Sequence, residues 1–326
     1  MKAYLDILRN IIENGIEKSP TRRNPTTNEV EVVDGGVKTI GLPNLVFSHN
    51  MKDGFPLATC RKMPFKSMSV ELEGFIRGIT SKKWYQDRNC FYWRNWCNPS
   101  LIPEGLDWAA KKIFMEEEDD LGPLGYAHGW RNFGRHYIDQ HMNQDTLARE
   151  LEHEFVSDCN GLIRGFDQLG VIVDKLLTSP NDRRMVCSAW NPNQFNQTAL
   201  PSCHCSWIVT TYGNTLNLIY HMRSCDIIRG SNISTYGLLL ELLASTAGLK
   251  PGNLTGTFAD AHIYDRDIEQ TKELIKREPK TLPNIRFTNN SGQLKEKFHI
   301  FDWTYQDVEL LNYNPHEAMK FAPVVV

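Results

Sequence analysis

The chain has 326 residues, 41% of them hydrophobic and 23% charged, which excludes a disordered or fibrous chain and gives length enough for a sizeable core. A formal charge of -3 offers no basic field, so nucleic acid is not expected as the main partner. No run approaches the roughly 18 apolar residues of a membrane span, so no membrane partner is expected either.

The opening residues MKAYLDILRNIIENG carry acids and lack the apolar core of an export signal. Tyr4, Leu5, Leu8, Ile11 and Ile12 form an i, i+3, i+4, i+7 stripe, which predicts a helix ending near Gly15. SPTRRNPTTNE reads as a loop, and a strand-like region follows to about residue 60. Residues 68–78 predict a helix closed by Gly78. Residues 84–108 hold four of the eight tryptophans, and the stretch from Leu101 to Asp120 ends in the acidic run EEEDD. That stretch predicts an inserted, partly helical surface segment with solvated charges. Residues 145–179 predict a helix broken around the glycines at 161, 165 and 170. CSWIVTT and TLNLIYHMR flank Tyr212-Gly213-Asn214 and predict a hairpin over 205–223. Residues 234–247 predict an apolar helix buried on most sides. Residues 266–278 predict a charged helix stopped by Pro279. With no internal repeat and no low-complexity linker, one domain spanning 1–326 is the expected organisation.

Eight cysteines, at 60, 90, 97, 159, 187, 203, 205 and 225, are scattered without a C-x-x-C pair. Free thiols in a reducing cytoplasm and no metal site are the expectation. Cys203-His204 could hold an activated nucleophile, although the dipeptide alone more often marks structure. Asp182-Arg183-Arg184, Arg223-Ser224 and Arg23 sit where elements end, and a guanidinium fork there suits phosphate. Asp226, Asn232, His262 and Tyr264 are polar residues beyond the hairpin, any of which could serve the core instead; an Asn amide can pair with a uracil-like edge. Glu71, flanked by Val70, Leu72, Phe75 and Ile76, either faces solvent or is buried with a raised pKa.

These residues occur together with DGFPLATCRK (53–62), DLGPLGYAHGWR (120–131), PNDRRMVCSAWNP (180–192), ALPSCH (199–204), RSCDIIRG (223–230), DAHIYDRDIEQ (260–270), REPKTLPN (277–284) and PHEAMKFAPVVV (315–326). In that order and spacing the sequence resembles the thymidylate synthases and their relatives, the pyrimidine nucleotide hydroxymethylases. The likeness runs nearly end to end apart from an insert at about 100–119. It implies an α/β fold in which a mixed, curved sheet packs against its twin across a homodimer interface, with helices on the other face. It implies transfer of a one-carbon unit from 5,10-methylenetetrahydrofolate to C5 of a pyrimidine nucleotide monophosphate, most simply dUMP.

Carried over to this sequence, Cys203 would add to C6 of the base, and Arg223 would lower the thiol pKa and bind phosphate. Arg23, Arg183, Arg184 and Ser224 would complete the phosphate cradle, with Arg183 and Arg184 reaching across the dimer. Asn232 would read the base edge, and His262 and Tyr264 would hold the sugar hydroxyl. Glu71 would organise water and shuttle protons, and Tyr126 would sit near the departing C5 proton. Trp93, Leu200, Asp226, Gly230 and Val324 would line the folate site.

The sequence departs from the family mainly on the folate side. Gly230-Ser231-Asn232 is two residues shorter than usual and lacks a proline and a phenylalanine. Arg94 and Arg61 stand where an acid and a lysine are usual. A trimmed folate loop favours water over hydride in the last step, so the reading leans to 5-hydroxymethylation, with reductive methylation as the alternative. A dCMP or CMP hydroxymethylase, a non-catalytic nucleotide- or RNA-binding homologue and a Cys–His hydrolase are the competing readings.

Overall fold

The computed structural model describes residues 1–23, 30–32, 37–134, 165–288, 294 and 298–322. The expected helix over 145–164, Cys159 and Val324 lie outside them. In chain order the strands are β1 (Ile16–Lys18), β2 (Thr21–Arg23), β3 (Val30–Val32), β4 (Thr39–Asn50), β5 (Val186–Ser188), β6 (His204–Tyr212), β7 (Thr215–Met222), β8 (Cys225–Asp226), β9 (Lys250–Tyr264), β10 (Asn284–Phe287) and β11 (Val308–Leu311). Helices intervene, giving a mixed α/β fold. The chain divides into two compact units, Met1–Met68 with Cys203–Val326, and Ser69–Ser202. Among the described residues no helix is long and apolar enough to cross a membrane.

In the first unit the sheet order is β1-β4-β9-β7-β6, with β8 also on β9. The sheet is mixed: β7 and β8 run parallel to β9, while β4 and β6 pair antiparallel with β9 and β7. The β6–β7 turn is the expected one, with Gly213 at φ +62°. Along β7, Leu216, Leu218, Tyr220 and Met222 are buried and their neighbours are not, the period-2 pattern of a half-covered sheet. Helix Ser231–Ala247 covers that face, and Tyr236 stacks on Tyr220 at 4.1 Å.

Helix Lys2–Asn14 buries Tyr4, Leu5, Ile7, Leu8 and Ile11, close to the predicted stripe. The Tyr4 hydroxyl donates to the Ile228 carbonyl at 2.8 Å. Gly230, at φ +64°, lies against the Tyr4 ring, where an added Cβ would approach to 3.3 Å. The positive φ turns the chain from β8 into helix Ser231–Ala247. Two expectations are corrected here. The strand after the first loop stops at Asn50, well short of residue 60. The charged helix runs only Ile268–Leu274 and ends before Pro279.

The second unit packs around aromatic side chains. Phe75, on helix Phe65–Arg77, meets Tyr126 at 5.1 Å, Trp130 at 5.7 Å and Trp93 at 6.5 Å. Gly170 does not break a helix as expected. It sits inside helix Gln168–Thr178, where its N–H bonds the capping Asp167 carboxylate at 2.8 Å.

The segment after residue 100 does form a helix, Trp108–Glu117, with no buried residue and Trp108 79% exposed. Its acidic run is not simply solvated. Asp119 accepts from Ser81 Oγ and the Lys83 amide, and the fully buried Asp120 accepts from Asn98 and the Gly122 amide. Lys82, 2% exposed, donates Nζ to the carbonyls of Met115 (2.7 Å) and Trp96 (3.2 Å). Lys82→Met is expected to leave both carbonyls unpaired and to destabilise this region by about 2–4 kcal/mol. Hydrogen exchange should then quicken in Trp108–Glu117 while the Ser231–Ala247 helix keeps its protection. Uniform quickening would contradict a local role.

Candidate active site

Cys203 immediately precedes β6. The Arg223 amide donates to the Cys203 carbonyl at 2.9 Å, so the hairpin register that pairs His204 with Met222 carries one step further and sets Arg223 opposite Cys203. The ladder slips between His204 and Ser206, leaving Cys205 as a bulged residue. A bulge inserts one residue and resets which side faces the core. His204 and Trp207 are therefore both buried although three positions apart. The His204 ring packs on Tyr236 at 5.4 Å. Burial lowers its pKa to about 4, opposed by a hydrogen bond with Asn232. His204 is thus neutral near pH 7 and supplies no positive charge to its neighbour.

Among the described cysteines, Cys60, Cys90, Cys97, Cys187 and Cys225 are buried, while Cys203 and Cys205 are partly exposed. Burial raises the pKa of the five buried thiols, which makes them poor nucleophiles.

Strand β8 pairs Asp226 with His262 of β9, so the chain after Arg223-Ser224 returns to the sheet beside His262 and Tyr264. Period-2 spacing puts those two rings on one face, 5.4 Å apart and nearly perpendicular. Arg223, Ser224, His262, Tyr264, Asp260, Lys18 and Thr21 line one cavity of about 520 Å³, a size suited to a small ligand. Lys18 is bonded to Asp260, whose second oxygen stands 3.7 Å from His262 Nδ1. The His262 side chain first, then Lys18, holds the Asp260 carboxyl down at about 2, so it is ionised at every ordinary pH.

Asn232, second residue of its helix, is half-buried, and its amide points Nδ2 at Met222 Sδ, 3.7 Å away. Asp226 is bonded through Oδ2 to Arg229 Nε at 2.7 Å. Its buried Oδ1 has no hydrogen-bond partner among the described residues. Burial raises the Asp226 pKa, and Arg229 opposes the shift. The first unit therefore brings together Cys203, Arg223, Ser224, Asp226, Asn232, His262 and Tyr264. Arg23 lies on β2, close in sequence to Lys18 and Thr21.

The second unit assembles a different group. Glu71 accepts from the Trp93 indole Nε1 at 3.1 Å. Burial pushes its pKa up to about 8, opposed by that bond, which decides between the two sequence alternatives in favour of a protonated acid. Tyr126 is 4% exposed and 6.2 Å from Trp93, ring to ring. Leu200 is half-buried. Arg183 and Arg184 are exposed and line a pocket with Ser179, Pro180, Asn181 and Asp182. Arg184 grips Asp182 through Nε at 3.1 Å and Nη2 at 2.9 Å, which holds the Asp182 carboxyl well below the usual range.

Sequence reasoning missed Lys18, Asp260, Arg229 and Asp267. The i, i+3 pairing of Asp226 with Arg229 was a readable signal; Lys18 and Asp260 meet across 242 positions, and Asp267 meets Arg229 across 38. Among the described residues no group of three or more His, Cys, Asp or Glu could hold a metal ion. A family model described as thymidylate synthase matches residues 2–325.

Proposed function

The chain belongs to the thymidylate synthase family, whose members transfer a one-carbon unit from methylenetetrahydrofolate to C5 of a pyrimidine nucleotide. On that premise we propose that it acts on dUMP through a covalent Cys203–C6 adduct and yields the 5-hydroxymethyl nucleotide. The observation that carries the substrate class is Arg223, which is opposite Cys203 in register and lines one cavity with Ser224, His262 and Tyr264. Phosphate at Arg223 and Ser224 and sugar at His262 and Tyr264 would bring the base toward the thiol. Arg23, Arg183 and Arg184 are proposed to complete the phosphate cradle, the last two from the partner of a homodimer.

In the proposed reaction the Cys203 thiolate forms a bond to C6, and the displaced pair moves onto the C4 carbonyl oxygen, making C5 nucleophilic. Asn232 would hold that oxygen and N3–H. The folate supplies the electrophilic carbon. Glu71 and Tyr126 would pass the C5 proton to water. The pair left at C5 by that proton expels the folate nitrogen, which takes up a proton, and leaves an exocyclic methylene on the base. Water adds to this carbon and gives up a proton, and the enolate so formed expels Cys203 as thiolate, so one water is consumed and tetrahydrofolate is returned. Buried Asp226 Oδ1 is an acceptor lacking a donor, which fits a pterin N–H edge. Trp93, Leu200, Gly230 and Val324 are proposed as further folate contacts. Both units are assigned to one catalytic domain.

Water rather than hydride is supported by the short Gly230-Ser231-Asn232 connection and by an arginine guanidinium standing at Asp226. Reductive methylation is the second reading, favoured by the buried Trp93. A neutral His204 argues against a Cys–His hydrolase, in which an imidazolium activates the thiol. The test is mass spectrometry of product from dUMP, and in parallel dCMP, with methylenetetrahydrofolate. A hydroxymethyl gain with tetrahydrofolate is expected. A methyl gain with dihydrofolate would establish the second reading, and turnover of dCMP alone would remove Asn232 as the uracil reader.

A further inference from the structure

Arg229 makes an unusual number of contacts for one side chain. Its Nε donates to Asp226 Oδ2 at 2.7 Å, and its Nη2 to the Ala322 carbonyl at 2.7 Å and Asp267 Oδ2 at 3.3 Å. Asp267, fully buried, accepts the Ala322 amide through Oδ1 at 2.8 Å. Ala322 is thus held by both its N–H and its C=O. The Phe321 ring lies beneath two guanidinium groups, Arg61 at 4.8 Å and Arg229 at 5.8 Å. Arg61 in turn donates to the carbonyls of Ile228 and Arg229, fixing the backbone from which Arg229 projects. One planar fork therefore spans Asp226, Asp267 and the C-terminal segment. Lysine, a point charge, cannot reproduce such a bridge.

We propose that Arg229 is a positioning residue that couples Asp226 to the seating of Phe321–Ala322, so that the co-substrate pocket is formed only when both are engaged. This rests on the reading of Asp226 as a folate-site residue. Asp226 offers its second oxygen to the ligand while Arg229 holds the first. The same guanidinium keeps the C-terminal segment in place, so loss of either contact frees Arg229 to swing and loosens the other. The charged and titratable groups around Asp226 are Arg229, Asp267, His262, Tyr4 and Cys225. Arg229 is the nearest cation, and it favours the carboxylate that a pterin N–H needs.

The test uses the full chain in wild-type, Arg229→Gln, Arg229→Lys and Asp267→Asn forms. In Arg229→Gln and Asp267→Asn, hydrogen exchange of the C-terminal peptide containing Ala322 should quicken about tenfold or more, as expected for a lost charge-assisted bond. KM for methylenetetrahydrofolate should rise by at least a similar factor, with KM for the nucleotide held within about twofold. The acid limb of kcat/KM for folate should move to higher pH in Arg229→Gln, because the cation beside Asp226 is removed. Arg229→Lys should keep the wild-type acid limb yet lose the exchange protection. Unchanged exchange in Arg229→Gln, or both KM values rising together, would overturn the proposal. Should the wild type turn over no nucleotide with folate, the functional reading fails, and the exchange measurement still decides the coupling.

Discussion

Replacing Cys203 by serine is expected to cut C5 transfer by at least about 10³-fold while dUMP still binds within about fivefold of wild type. The size follows from the chemistry of C6 addition. C5 of uracil is a weak carbon nucleophile until a nucleophile adds at C6, and a serine hydroxyl is almost wholly un-ionised at pH 7. The hairpin register keeps Arg223, and with it the phosphate and sugar contacts, where it was, because the Cys203 carbonyl and not its side chain accepts the Arg223 amide. Binding and chemistry should therefore separate. Tritium release from 5-tritiated dUMP reads the chemistry, and calorimetry reads the binding. Mass spectrometry of the denatured wild-type complex should show protein plus nucleotide, and the variant should show protein alone. Turnover by Cys203→Ser within tenfold of wild type would exclude covalent catalysis by this thiol. A variant that keeps full biological effect without turnover would point to the non-catalytic homologue instead.

The same dipeptide shows where sequence reading reached its limit. The stripe in Lys2–Asn14, the Gly213-Asn214 turn and the apolar run of Ser231–Ala247 were legible because each signal is local and period-bound. That Cys203 stays partly exposed while His204 is buried and neutral was not legible. It follows from the bulge at Cys205, and a one-residue slip in a ladder leaves no compositional trace. The EEEDD run misled for a related reason. Charge count cannot reveal that Asn98, Ser81 and the Lys83 and Gly122 amides wait for its two aspartates. Gly170 misled because glycine inside a helix is tolerated when a cap compensates, and Asp167 provides the cap. At the candidate site, motif residues were found by resemblance. Lys18–Asp260 and Arg229–Asp267 join residues 242 and 38 positions apart, pairings that no short motif encodes.

Glu71→Gln is expected to lower activity by about 10²–10⁴-fold and, in the same protein, to raise stability at pH 8. Both effects have one origin. Burial raises the Glu71 pKa from 4.5 to about 8, so the folded protein keeps the proton through neutral pH while the unfolded chain releases it near 4.5. Between those values the native state binds more protons, and stability falls as pH rises. By pH 8 the cost amounts to a few kcal/mol, on the order of 4. Glutamine reproduces the neutral acid in shape. Its carbonyl can accept the Trp93 indole N–H that Glu71 Oε1 accepts at 3.1 Å, and it carries no proton to release. The variant should therefore match wild type in urea midpoint near pH 4.5 and exceed it progressively toward pH 8. What glutamine cannot do is give a proton and take it back, which is the step assigned to this carboxyl between C5 and water. A protein that gains stability as it loses turnover would mark Glu71 as a group retained for reactivity against its own folding cost. Parallel midpoint-against-pH curves for the two proteins would mean that Glu71 is ionised in the folded state and would remove it as the proton shuttle.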